Sequence, residues 1–401
     1  MHALQLLHKT IISACPSIHL KRLNALLTIT QSLFVGQRLS LTGLGRSLNS
    51  KAYVKHCIKR VDRLLGNEHL HKERFAIYAG ITQPLFKSVR QPIIVVDWSE
   101  LTEDQAFHLL RASVPVGGRT VTIYEEVHPR SRITNRKVHQ RFLESLKRLI
   151  PNHCRPIVVT DAGFRTTWFD MLDKMEWDYV GRVRNRTLVK RCGSNEWEPC
   201  KTLYKRATYQ ALYIGDYLLN RSKPMAGYLY LLKRRPKDRH RRNSDGTVAK
   251  SGYSHKIAKR KREPWLLVTS LGGEQALAQT ITHAYKARMQ IEEGFRDLKS
   301  SRFGFNIRVC QTRNKRRLEI LLLIGFLATY CLWLLGVEAE RQKYHVRYQS
   351  NTIKTRRVLS VIYLTLQLVK EDISIVSRIS QRAVKSTIEL SRTEFDYACS
   401  A

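Results

Sequence analysis

The chain has 401 residues, 43% of them hydrophobic, and carries 70 Lys and Arg against 33 Asp and Glu, a formal charge of +37. That length exceeds one ordinary core, so two or three domains are expected, and the hydrophobic content is enough for globular packing. The cationic excess runs through the whole sequence, which excludes a single basic tail and points to an extended surface for a polyanion, nucleic acid ahead of an acidic membrane.

No charged segment followed by a long apolar core opens the chain, so no signal peptide is expected. Residues 1–85 read as a helical, DNA-binding region. Helical spacing runs from Leu4 to Ala14 and from Leu20 to Phe34, and a short helix with a glycine-containing turn follows Ser40. Ser50 is placed to cap the next helix, which stops at Gly66. In it Val54, Cys57, Ile58, Val61, Leu64 and Leu65 form an apolar face, while Lys51, Lys55, Lys59 and Arg63 line another. Short helices, a turn and a basic amphipathic helix make a candidate helix-turn-helix. The rival reading is a solvated basic face.

The texture changes near residue 91. Pro92 to Asp97 is a short apolar run ending in an acid, as expected of a central strand buried on both faces. Phe107 to Val116 and Arg119 to Val127 are β-rich and joined at Gly117-Gly118, a hairpin pattern. Lys137 to Leu149 has helical spacing, Pro156 to Asp161 repeats the apolar run with a terminal Asp, Phe169 to Met175 is helical, and Trp177 to Val183 is another strand. The order is β-β-β-α-β-α-β. In open sheets of this kind ligands bind outside the carboxyl ends of parallel strands. If the strands of Asp97 and Asp161 are neighbours, about 5 Å apart, the two carboxylates can share a metal ion. A lone strand-ending Asp is more often a turn residue; a matched pair is harder to dismiss.

A β-rich insertion over 187–280 interrupts this order, with strands expected from Tyr204 to Tyr217, Met225 to Lys233 and Pro264 to Ser270. Lys233 to Glu263 holds 13 Lys and Arg against three acids and reads as a long flexible loop, either a solvated linker or a DNA clamp. Tyr285 to Lys299 follows as one helix. At about 100° per residue, Tyr285, Arg288, Glu292 and Lys299 fall within about 60° of one another, beside an apolar stripe of Ala287, Ile291, Phe295 and Leu298. Ile320 to Leu335 is shorter than the roughly 20 residues that span a bilayer, so it reads as a buried core helix. Residues 336–401 form a helical, basic C-terminal region. The eight cysteines are scattered, with no CxxC pair, which fits neither a disulfide framework nor a zinc site and suits a reducing cytosol.

Three carboxylates stand out: Asp97, Asp161 and Glu292. Hard divalent cations want such oxygens, and two ions about 4 Å apart can hold the attacking and leaving oxygens of an in-line phosphoryl transfer. Arg288 and Lys299 would offset charge on flanking phosphates, and Tyr285 could hydrogen-bond a phosphate oxygen.

The spacing Tyr285-x2-Arg288-x3-Glu292-x6-Lys299 matches the YREK signature of DDE transposases of the insertion-sequence-four family. The segments VVDWSE at Asp97 and VVTDAGF at Asp161 resemble that family's other acidic motifs, and the chain looks closest to the Tn-ten type. The resemblance implies an α/β, RNase H-like catalytic core over 86–335 interrupted by the β-rich insertion, between helical N-terminal and C-terminal regions. It implies cut-and-paste movement of a bacterial insertion sequence by two Mg²⁺ ions (Mn²⁺ substituting) on Asp97, Asp161 and Glu292. Cleavage at terminal inverted repeats would pass through a DNA hairpin to strand transfer into target DNA, within a synaptic dimer in the cytoplasm. Arg119 joins Tyr285, Arg288 and Lys299 among the phosphate-binding candidates. By the same resemblance Trp265 would stack on an unstacked base, with Trp98 and Met289 as apolar wedges. Two other readings stay open: a catalytically silent, transposase-derived DNA-binding protein, and an RNase H-like nuclease without strand transfer.

Overall fold

The computed structural model describes residues 2–184, 187–235, 247, 251–252, 262–353 and 355–371. It is a mixed α/β protein, with eleven α-helices and ten strands among the described residues. The chain divides into two compact bodies: residues 1–154 with 289 onward, and residues 155–288.

The first body opens with α1 (His2–Ala14), α2 (Leu20–Gly36), α3 (Leu41–Arg46), α4 (Val54–Leu65) and α5 (Glu68–Thr82). Ser40 caps α3, its Oγ accepting from the Gly43 N–H at 3.2 Å, and Asn67 caps α5 through the Leu70 N–H at 2.8 Å. The cap expected at Ser50 is not used. Its hydroxyl accepts from Ala52 N–H in a local turn, and α4 starts later, after Tyr53, with no side-chain cap. Then β1 (Ile93–Glu100), β2 (Phe107–Pro115) and β3 (Thr120–Pro129) form an antiparallel meander, of which the sequence predicts the hairpin between β2 and β3. Its hairpin turns at Gly117 and Gly118, whose φ of +60° and +95° favour glycine. Helix α6 (Arg136–Leu149) follows, capped by Asn135.

The second body holds β4 (Ile157–Thr160), α7 (Thr166–Asp173), β5 (Asp178–Val183), β6 (Leu188–Arg191), β7 (Glu198–Pro199), β8 (Leu212–Leu219), β9 (Met225–Leu232), β10 (Trp265–Thr269) and α8 (Ala278–Ala287). Within it the strands run β4-β5-β10-β9-β8-β6-β7. Among its described strands only β4 and β5 pair in parallel, and both are almost wholly buried, as strands covered on two faces must be. Phe169 of α7 stacks on Tyr179 at 4.7 Å, and Gly181 makes room: a Cβ there would lie 2.1 Å from the Phe169 ring. The strand expected over Tyr204 to Tyr217 begins only at Leu212. Cys200–Arg206 instead folds as a 3₁₀ turn whose three-residue spacing buries both Cys200 and Leu203. Most of the basic stretch between Lys233 and Glu263 lies outside the described residues.

The chain then returns to the first body with α9 (Met289–Lys299), α10 (Lys315–Arg341) and α11 (Val361–Glu371). The single helix expected from Tyr285 to Lys299 is two helices. The Arg288 N–H bonds the Tyr285 carbonyl at 3.2 Å, a three-residue closure that interrupts the four-residue ladder. Helix α10 is long and apolar enough to cross a membrane, yet 89% of its most apolar window is buried inside the protein, consistent with the expected core helix. It packs against α2, α5, β3 and α11 and runs without a break through residue 335. Residues 372–401, expected to continue the helical C-terminal region, lie outside the described residues.

Candidate active site

In the first body the apolar run Ile93 to Val96 is fully buried, and Asp97 follows it, half-buried on β1. Register places Asp97 opposite Arg111 on β2, and Arg111 opposite Glu125 on β3. Directly paired residues share a sheet face, so the three charges form one row across the meander. Arg111 donates from Nε at 2.8 Å and Nη2 at 2.7 Å to Oε2 of Glu125, and both residues are buried. The Tyr78 hydroxyl donates to Oε1 of Glu125 at 2.9 Å, and Arg74 Nη2 reaches the Glu125 carbonyl at 3.0 Å. Arg74 also pairs with buried Glu319 of α10 at 2.8 Å, linking α5, β3 and α10 beneath the row.

Helix α9 lies against this meander. Ser99 is two residues beyond Asp97, hence on the same strand face, and Lys299 donates to its hydroxyl at 2.6 Å. Burial pushes the Lys299 ammonium down to about 8, with Arg308 and Arg111 adding to the effect and Glu100 and Asp97 opposing it. Asp97 and Lys299 therefore feel each other's charge. Glu292 is seven residues, about two turns, before Lys299 and shares its helix face; it is exposed. Between them Phe295 receives Arg111 over its ring at 5.2 Å and Lys299 at 5.7 Å.

Arg119 is committed to the same helix. Its Nε lies 2.6 Å from Oδ2 of buried Asp297, and its Nη1 is 3.8 Å from Glu293. Burial raises Asp297 to about 6, while the Arg119 charge opposes the shift. Gln290 accepts from the Val116 and Gly118 N–H groups at 3.2 and 2.9 Å, tying α9 to the hairpin turn. Met289 opens α9 and is 41% exposed.

Trp98 points to the opposite face of β1 from Asp97. Its Nε1–H donates to Nε2 of His139 at 3.2 Å, and its ring meets His128 edge-on at 5.6 Å. Burial, and then the neighbouring His128, push His139 down to about 4, so its imidazole is neutral and can accept this bond.

Asp161 belongs to the second body, directly after β4, where its Oδ1 accepts from the Gly163 N–H at 2.7 Å. Tyr285, 2% exposed, is there too. Burial raises its hydroxyl, Arg288 and Arg182 lower it and hydrogen-bond it, and Asp161 lies near enough to raise it again. Trp265, 6% exposed, packs edge-on against Tyr285 at 4.8 Å, and Arg234 covers its ring at 4.5 Å.

Of the proposed residues, then, Asp97, Glu292, Lys299, Arg119, Met289 and Trp98 share the first body with Lys51, Lys55, Lys59 and Arg63, all four of which are exposed along and before α4. Asp161, Tyr285, Arg288 and Trp265 share the second. Arg111, Glu125, Asp297, Ser99 and His139 escaped the sequence reading. Arg111, Glu125 and Ser99 leave a trace only as polar residues inside strands rich in apolar ones, while Asp297 and His139 sit on helices already rich in polar residues and leave none. Among the described residues no group of three or more His, Cys, Asp and Glu side chains closes around a metal-sized point. The chemistry of the nominated donors nonetheless suits a hard cation: all are carboxylates, and a backbone N–H fixes the rotation of both Asp97 and Asp161. Among the described residues Cys15, Cys57, Cys192, Cys310 and Cys331 are free thiols.

The profile of the family described as "Transposase DDE domain" matches residues 89–332, more than half of the chain, from just before β1 into α10. No curated protein matches the chain.

Proposed function

The chain belongs to the Transposase DDE domain family and is a DDE transposase, an enzyme acting on DNA; from that premise we propose that it moves an insertion sequence by cut-and-paste, through metal-dependent end cleavage, a hairpin intermediate and strand transfer. The YREK spacing supports placing it in the insertion-sequence-four family, with an RNase H-like core. The observation that carries the catalytic reading is the bond from Lys299 to Ser99. It sets the Glu292 helix on the strand face that bears Asp97.

Asp97, Asp161 and Glu292 would together hold two Mg²⁺ ions. When bound, such ions activate the attacking oxygen and stabilise the departing one. The chain's own residues do the rest. The Trp98 N–H holds the Asp97 carboxylate at 2.8 Å in one rotation. Lys299 brings a cation to the phosphate next to the cut, and Arg288 and Tyr285 bring a guanidinium and a hydroxyl. Trp265 can take an unstacked base only once Arg234 leaves its face. Two copies acting on paired terminal repeats, in the bacterial cytoplasm, complete the reading.

The test is purified protein, Mg²⁺ and DNA carrying the element's ends, with excised, hairpinned and joined products as the readout. Glu292→Gln is expected to keep binding that DNA and lose cleavage. Cleavage by this variant at the wild-type rate would remove Glu292 from the chemistry.

A further inference from the structure

A polar cleft of about 410 Å³ opens on the first body where α2 hands over to α3. Arg38 and Arg46 line it, with the hydroxyl residues Thr42 and Ser47 and with Val309 at one side. Among the described residues no acidic one lines it, and both arginines are exposed. In a helical segment with Asp62, Glu68 and Glu73 close by in sequence, these two cations have none of those acids in their cleft. Its walls are built tightly. A Cβ on Gly36 would lie 2.1 Å from Ser47 Oγ, and one on Gly43 would lie 2.6 Å from the Arg38 side chain. The two glycines let the arginine- and serine-bearing segments close around one space.

The position of the cleft gives it a purpose. On one side α3 packs on α4, with Gly45 so close to Ile58 that a Cβ would meet its Cα at 2.7 Å, so the cleft adjoins the helix bearing Lys55, Lys59 and Arg63. On the other side the Leu39 N–H donates to the Phe305 carbonyl at 2.7 Å, fixing the cleft to the loop that carries Val309 and Arg308. Arg308 is close enough to Lys299 to lower its pKa, and Lys299 is close enough to Asp97 to feel its charge. Cations thus stand on α4, in the cleft, and at Arg308 and Lys299 beside the strand that bears Asp97, all within one body.

We propose that the cleft seats one phosphodiester of the bound DNA, gripped by the Arg38 and Arg46 guanidinium groups, and so sets how far along the duplex α4 sits from the phosphate presented to Asp97. This rests on the transposase reading, yet its binding half can be measured separately. A planar, doubly donating guanidinium suits a phosphate oxygen pair, and two arginines lining one cleft suit a singly charged phosphodiester contacted from two sides.

The experiment uses the full chain and a mixed-sequence DNA duplex, comparing wild type with the Arg38→Ala, Arg46→Ala double variant. Both side chains are exposed, so the fold should be kept, and an unchanged circular-dichroism melt checks this. Losing one phosphate contact is expected to lower the slope of log affinity against log salt by about 0.9. In the second arm, single neutral methylphosphonate linkages are scanned along DNA carrying the element's end. Wild type is expected to lose affinity at one linkage at a fixed distance from the cut, and the double variant to be indifferent there. An unchanged salt slope, or a linkage profile identical in both proteins, overturns the cleft as a phosphate seat. Absence of any Mg²⁺-dependent cut by wild type, with the slope change present, would sink the transposition reading and leave the seat standing.

Discussion

The buried row behind Asp97 makes a quantitative prediction. Arg111→Met removes the cation from a pair in which Glu125 is 1% exposed and keeps only the Tyr78 hydroxyl, at 2.9 Å, as its side-chain donor. Breaking a buried pair by removing one partner costs about 3–5 kcal/mol, because the remaining charge has no compensation. Glu125→Leu strands Arg111 and should cost a similar amount. Removing both charges together takes that penalty away and leaves only an orphaned Tyr78 hydroxyl, worth about 1–3 kcal/mol. The singles should therefore be less stable than the double, and a double-mutant cycle should give a coupling of several kcal/mol. Denaturant unfolding followed by circular dichroism reads this directly, and each single is expected to melt roughly 10 °C lower at about 2–4 °C per kcal/mol. A single variant within about 1 kcal/mol of wild type, or a double as unstable as the summed singles, would refute the claim that this pair is buried and mutually dependent.

The Lys299 ammonium, held down to about 8, should lose its charge as pH rises through 8, and a bound phosphate should pull the proton back. DNA affinity is then expected to fall by up to about tenfold per pH unit above 8, and Lys299→Arg, which stays charged, should lack that fall; equal pH profiles for the two proteins would contradict it. His139 titrates near 4 in the folded protein against an ordinary 6.5, so the unfolded chain takes up the proton first and stability is lost as pH falls from 6.5 toward 4. That gap corresponds to on the order of 3 kcal/mol, and His139→Gln, which still accepts from the indole, should flatten this part of the acid melting curve by about that much. An acid limb as steep as wild type would show that His139 already binds its proton in the fold.

Much of the fold was legible because the signals were local. Two apolar runs ending in Asp97 and Asp161 became β1 and β4, and Gly117-Gly118 became the hairpin turn. What stayed hidden depended on register and on hydrogen bonding that no residue type announces. Counted back from the turn, Arg111 should face Tyr124. A bulge between Ala112 and Ser113 shifts the pairing by one, so Arg111 meets Glu125 instead and the charged row appears. The break at Arg288 was equally silent, because every residue from Tyr285 to Lys299 tolerates a helix and only a three-residue hydrogen bond interrupts it. Trp98 neighbours Asp97 in sequence, but strand alternation sends the two side chains to opposite faces.

The charged row also bears on why a chain so short of acids buries one at Glu125. A well-packed apolar pair in place of a buried ion pair is often as stable or more so, so stability alone gives weak reason to keep it. The geometry offers a stronger one. Arg111 stands directly across from Asp97 on one sheet face, so the direction of its side chain decides which carboxylate it holds. Glu125 takes both its Nε and its Nη2, and Phe295 covers its flat face. The guanidinium is thereby committed to Glu125, yet stays close enough to depress Lys299. On this reasoning Glu125 does more than hold the fold: it fixes where the Arg111 charge lies, across from Asp97 and beside Lys299.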